Sequence, residues 1–211
     1  MPSTPDADLE RKATSLAFLK AIKFPADLEL APLASASFSW RSPAEVAERC
    51  VILYGLLYVV YKEKPAHTVL AYFNKFNLAE SLTEAELSFL KSPKPADELV
   101  DDVSWSIEAL FLMLWSINLV DDLEAPVETC ILSEADELPD FSFPPDDFIS
   151  NATFRNEDEI LDQADLHFRI QTQLAGMSPI AEAPIPADIF PDIAAQRHRA
   201  FQWILNRGVN W

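Results

Sequence analysis

WSIEALFLMLWSINLV, residues 105–120, is the stretch that settles the architecture. Only Ser106, Glu108, Ser116 and Asn118 interrupt its apolar surface, so a helix here is greasy on nearly every side. Acidic pairs bracket it, Asp101-Asp102 before and Asp121-Asp122 after. Flanking carboxylates are wrong for a membrane span and right for a core helix, which is predicted over 96–119.

Upstream, Thr83-Glu84-Ala85-Glu86 is a capping box opening a brief helix through Lys91, which Pro93 and Pro95 end. Pro65 opens another to about Asn77, expected to bury Val69, Leu70, Phe73 and Phe76. Ser42-Pro43-Ala44-Glu45 combines an N-cap serine, a proline at the first helical position and a glutamate at the third. The helix it announces runs to about Lys62 and is placed centrally, because its middle is apolar all round. Residues 8–24 read as an amphipathic helix, with Leu9, Leu16, Leu19 and Phe24 opposite Arg11, Lys12, Lys20 and Lys23. An extended crossing segment, 24–41, follows it.

Downstream, 121–155 is irregular, proline-broken and acidic, with Phe141, Phe143, Phe148 and Phe154 as expected anchors onto the helical body. Asn156-Glu157-Asp158-Glu159 is a third capping signal, for a helix that Gly176 is expected to close. Pro179, Pro184 and Pro186 fill a loop. The last helix is predicted from Asp192 to Asn206, stopped by Arg207-Gly208. The fold class is therefore all-α: one domain, 1–211, of about seven helices. Its parts are the N-terminal helix 8–24, central helices within 42–120, the packed acidic segment 121–155 and C-terminal helices within 156–207.

Composition agrees. Three glycines in 211 residues disfavour hairpins and dinucleotide-binding turns, while sixteen prolines punctuate the periodic segments. Cys50 and Cys130 make no disulfide framework, and no spacing suggests zinc. The N-terminus lacks a basic region leading into an apolar one, and the apolar run 50–61 is too short for a bilayer. A soluble, cytoplasmic protein is expected.

Charge says most about partners. No lysine or arginine lies between Lys94 and Arg155, whereas fifteen Asp and Glu do, in a chain of net charge −18. This disfavours nucleic acid and anionic membrane and leaves a basic protein as the fitting partner. The competing reading is that the acidity only maintains solubility.

Arg11-Lys12-Ala13-Thr14-Ser15-Leu16, running on to Phe24-Pro25, is the first of five segments that together resemble one family. The second is Arg41-Ser42-Pro43-Ala44-Glu45-Val46-Ala47-Glu48-Arg49-Cys50. The third joins Trp105-Ser106-Ile107-Glu108-Ala109-Leu110 to Trp115-Ser116-Ile117-Asn118-Leu119-Val120. Ala164-Asp165-Leu166-His167-Phe168-Arg169 and Gln196-Arg197-His198-Arg199-Ala200-Phe201-Gln202-Trp203, with Trp211 beyond, complete the set. In this order, over most of the chain, they resemble a bacterial family known only as domain of unknown function 4272. Such proteins usually carry a short acidic tail after the final tryptophan, where this sequence ends. The resemblance implies a shared architecture and no activity.

Glu108 is the most informative single position. A carboxylate on so apolar a helix must be paired or protonated, since burying it alone costs several kcal/mol. Arg169 and Arg197 are the expected donors, with Arg41 a third. The residues favour an ion pair that fixes helix register over a general acid or base of raised pKa. Asp165 and Arg169 stand one helical turn apart, a spacing that favours a helix-surface bridge over an aspartate that orients a histidine or an arginine. His167 and His198 are the histidines of the C-terminal helices, but no chelating spacing occurs, and a metal is not expected. Arg197-His198-Arg199 is a cationic cluster, with Trp203 placed to stack on Arg199. No nucleophile motif, phosphate loop or calcium loop is present, and no cofactor is expected.

Trp105, Glu108, Asp165, Arg169, Arg197 and His198 therefore form the candidate binding or buried polar cluster; no residue reads as catalytic. The leading expectation is a non-enzymatic protein that binds a basic protein through an acidic face, in the manner of an immunity protein or antitoxin. The alternative is a small-molecule binding protein or enzyme with a pocket at Trp105, Glu108, Asp165, Arg169 and Arg197.

Overall fold

Local chemistry at the helix ends dictates where most elements begin and stop. The computed structural model describes residues 5–132, 138–177 and 189–211. Among them the regular structure is helical: α1 (Pro5–Ala21), α2 (Pro43–Val60), α3 (Ala66–Lys75), α4 (Glu84–Lys91), α5 (Asp97–Ser116), α6 (Asp146–Ser150), α7 (Glu157–Gly176) and α8 (Pro191–Leu205). The fold is all-α, with one helix beyond the expected seven. The addition, α6, is five residues within the stretch read as irregular. The loop around Pro179, Pro184 and Pro186 lies outside the described residues, as do acidic residues 133–137.

Two capping boxes form in full. Ser42 accepts from Glu45 N–H while the Glu45 carboxylate takes Ser42 N–H, and Thr83 and Glu86 repeat the exchange. Asn156 forms half of one: it accepts from Asp158 N–H at 3.0 Å, but Glu159 instead meets Arg155 at 3.3 Å.

Helix C-termini fall within a turn of the expected positions, but the chemistry of the stops differs. Gly176 does not close α7; the helix runs through it to an extended Met177. No described glycine has positive φ, and the left-handed positions belong to Lys23, Lys62, Asn77 and Asn118, at φ 58° to 63°. Three of these complete the paired hydrogen bonds of a Schellman motif. Phe24 N–H reaches Leu19 O (2.9 Å) and Lys23 N–H reaches Lys20 O (3.1 Å); Lys62 and Asn118 sit in the same pattern.

Contacts divide the helices into two units. Unit 1 is 1–40, 124–129 and 155–210, and holds α1, α7 and α8. Leu19 and Phe24 from α1 and its exit pack with Leu166 and Ile170 of α7 and with Ile189 and Ala194. The face that α1 buries is only partly the one expected: Leu19 and Phe24 are buried, whereas Arg11, placed on the opposite basic face, turns inward. Asp8, Arg11, Ser15 and Leu19 point inward at helical spacing, and Leu9 is 55% exposed. The cause is electrostatic. Arg11 donates to Asp8 (2.9 Å), to Asp162 (2.9 Å) and to Asp158 (3.3 Å), so it ties α1 to the first turns of α7. Asp8 in turn accepts Ser35 Oγ–H at 2.5 Å and Ser35 N–H at 3.2 Å.

Unit 2 is 41–123, 130–154 and Trp211, and holds α2 to α6. The helices α2 and α5 are its core, burying Val51, Ile52, Leu53, Leu56 and Leu57 of the one and residues 109–115 of the other. Each such side chain contributes about 1.5–3 kcal/mol on leaving water. Gly55 lets α3 approach: a Cβ there would lie 2.5 Å from Phe73 Cζ and 3.0 Å from Val69.

Candidate functional site

Within unit 1, α7 carries Asp165 and Arg169 a single turn apart, both buried. Arg169 Nε donates to Asp165 Oδ2 at 2.7 Å and Nη2 to Oδ1 at 2.9 Å, a bidentate fork. Its remaining reach goes to Leu30 O and Ala31 O, both at 3.3 Å, while Leu33 N–H points at Asp165 Oδ1 from 3.5 Å. The pair therefore clamps residues 30–33 onto α7. Its lone pairs and protons are spent inside the protein.

Arg197 of α8 is buried and donates to Glu124 O at 2.6 Å, fastening 124–129 to α8 within unit 1. His167 is wholly buried, with its ring 5.3 Å from that of Phe201. Its Nδ1 lies 2.9 Å from Gln163 O; since a carbonyl only accepts, this nitrogen carries the proton. Burial, then the charges of Arg197 and His198, push the imidazole from 6.5 down to about 3, against the opposing Gln163 hydrogen bond. His198, half-buried and stacked on Phe168 at 6.2 Å, is lowered by burial. Among the described residues no three His, Cys, Asp or Glu side chains gather as a metal would require.

Trp105 and Glu108 belong to unit 2. Trp105 is half-buried on α5, and Glu108 has no exposed surface. The Glu108 carboxylate accepts Cys130 N–H at 2.8 Å, and Cys130 Sγ lies 3.6 Å from Ile107 O, so chain entering 130–154 is pinned to α5. Arg41, a candidate counterpart of Glu108, lies 3.7 Å from Glu45; Arg169, another, serves Asp165. The inference from sequence missed a further buried pair. Arg49 grips Glu86 at 2.9 and 3.0 Å, donates to Ser81 O at 2.6 Å and lies 5.4 Å over the Trp211 ring. Nothing in its spacing marked it, because Glu86 was already accounted for by its cap.

The acidic stretch behaves differently from these buried groups. In unit 2, Asp97, Glu98, Asp101, Asp102, Asp121, Asp122, Asp140, Asp146 and Asp147 are exposed, and only Glu108 of the described carboxylates from 97 to 147 is buried. Unit 1 has an open groove of about 710 Å³ lined by Leu16, Lys20, Lys23, Phe24 and Leu28 among others, and none of the candidate polar residues lines it.

The family model for a domain of unknown function, DUF4272, matches residues 11–211. No curated protein and no solved structure matches the chain.

Proposed function

The chain belongs to the DUF4272 family, and from its surface we propose a non-enzymatic role: binding a basic protein through the exposed carboxylates of unit 2. The observation that carries this is the fate of the acidic side chains. Asp97, Asp101 and Asp102 on α5 and Asp140, Asp146 and Asp147 near α6 face water, within a stretch that supplies no lysine or arginine. A field of one sign accelerates encounter with a cationic partner and repels nucleic acid and anionic lipid. An immunity- or antitoxin-like neutralisation of a basic effector fits that chemistry. No described helix is long and apolar enough to cross a membrane. The rival pocket reading is weakened by Asp165 and Arg169, whose donors and acceptors satisfy one another.

The test is retention of partners on the immobilised chain at about 0.05 and 0.3 M salt, beside a variant carrying Asp97→Asn, Asp101→Asn and Asp102→Asn. The proposal expects a basic protein retained at low salt, lost at high salt and weakened roughly tenfold or more by the variant. Retention indifferent to both salt and variant, or no retained partner, rules it out and leaves the acidity as a solubility device.

A further inference from the structure

Residues 138–145, Leu-Pro-Asp-Phe-Ser-Phe-Pro-Pro, belong to unit 2, where Pro145 is buried and Phe141, half-buried, meets a group of aromatic rings. The Phe141 centroid lies 4.9 Å from that of Tyr72 and 5.2 Å from Tyr58, both edge-on, and 5.7 Å from Tyr54 and 6.5 Å from Phe73. These four side chains come from α2 and α3 alone. They are braced without the visitor: the Tyr54 and Tyr58 hydroxyls are 3.0 Å apart, and Tyr72 packs edge-on to Phe76 at 4.8 Å. Gly55 leaves the room that Phe73 occupies.

The seated segment is likewise shaped by its own bonds. Asp140 Oδ1 accepts Ser142 N–H at 2.9 Å, and Asp140 O accepts Phe143 N–H at 3.0 Å, closing a turn that presents Phe141. Pro139 on one side and Pro144-Pro145 on the other restrict the flanks. One further bond joins the two parts, from the Tyr72 hydroxyl to Phe143 O at 3.0 Å, while the Phe143 ring itself is 66% exposed. A self-shaped turn, one inserted ring, one main-chain carbonyl and an aromatic-lined hollow are the parts of peptide recognition, in which proline lowers the entropy of the ligand.

We propose that Tyr54, Tyr58, Tyr72 and Phe73 form a peptide-binding site for an aromatic residue carried in a proline-flanked, aspartate-capped turn. The chain's own 138–145 is the resident ligand, and a partner protein's segment of the same chemistry is the incoming one. The site uses none of the carboxylates on α5 and shares only Asp140 with the acidic-surface reading. A resident ligand on the same chain competes at an effective concentration on the order of millimolar, so an incoming segment binds the intact protein weakly and a weakened resident unmasks the site.

The experiment is fluorescence anisotropy with a labelled synthetic peptide of residues 138–145 and the full chain as wild type, Phe141→Ser and Asp140→Ala. The control is the same peptide carrying Phe141→Ser. The proposal expects the Phe141→Ser chain to bind at least about tenfold more tightly than wild type. Asp140→Ala, which opens the turn without touching the socket, falls between them, and the control peptide fails to bind. Equal affinity for all three chains, no binding to any, or equal binding of the control peptide overturns it. Far-UV circular dichroism reports helicity; should Phe141→Ser unfold, the exposed Asp140→Ala carries the same comparison.

Discussion

His167 titrates against the fold of unit 1. Held near 3 in the folded chain against 6.5 ordinarily, it is neutral in both states above pH 6.5 and contributes no pH dependence there. Below 6.5 the unfolded chain takes the proton first, so stability is lost by about 1.4 kcal/mol per pH unit until the folded value is reached. Urea titrations at pH 7 and pH 5 are expected to show this loss in the wild type and to lack about 2 kcal/mol of it in His167→Leu. Equal losses would place the acid sensitivity elsewhere. Asp165 and Arg169 make the second case at this scale. Removing either partner strands a buried charge, and Asp165→Leu or Arg169→Met is expected to cost about 3–5 kcal/mol. The double variant should cost much less than the sum, yet stay below wild type, because Leu30 O and Ala31 O lose their donor. Additive losses in the cycle would deny the pairing.

Helix ends give expectations of their own. Lys62 ends α2 in the left-handed region without glycine's freedom, so Lys62→Gly is expected to stabilise unit 2 by about 0.5–1 kcal/mol. A lower melting temperature would show that the lysine side chain matters more than its φ. Gly55→Ala should go the other way despite alanine's helix propensity: Phe73 and Val69 must shift, and overpacking costs about 1–3 kcal/mol. These cases also show what the chain discloses before folding. Ser42 and Thr83 could be read as starts because a cap and its partner are three residues apart, well inside one window. The stops could be placed to within a turn, but their chemistry could not, because Lys23, Lys62 and Asn118 adopt a conformation that the usual signal assigns to glycine. The inward turn of Arg11 on α1 was hidden too, since Asp158 and Asp162 fix it from 147 and 151 residues away. In the candidate cluster, burial of Glu108 followed from its apolar helix, whereas that of Asp165 did not, since an aspartate one turn from an arginine is more often a bridge on a helix surface. Partners such as Glu124 O and Cys130 N–H did not, being backbone atoms that any residue type offers.

At the scale of the whole chain, a net charge of −18 makes the folded state repel itself. Raising salt from about 0.01 to 0.15 M shortens the screening length from about 30 to 8 Å. The melting temperature is expected to rise, by about 2–4 °C for each kcal/mol of repulsion relieved. A fall would mean that attractive pairs such as Arg11 with Asp158 outweigh the excess charge. The division of the sequence between the units has a temporal consequence. Residues 41–123 and 130–154 leave the ribosome as nearly one block, whereas α1 must await α7. At translation speeds of about 5–20 residues per second, the first helix spends about 7–30 s without its docking surface. Nascent chains stalled with residue 154 just outside the exit tunnel should thus resist protease within 41–123 while being cut within α1. Protection of α1 at that length would mean that something other than α7 shelters that helix.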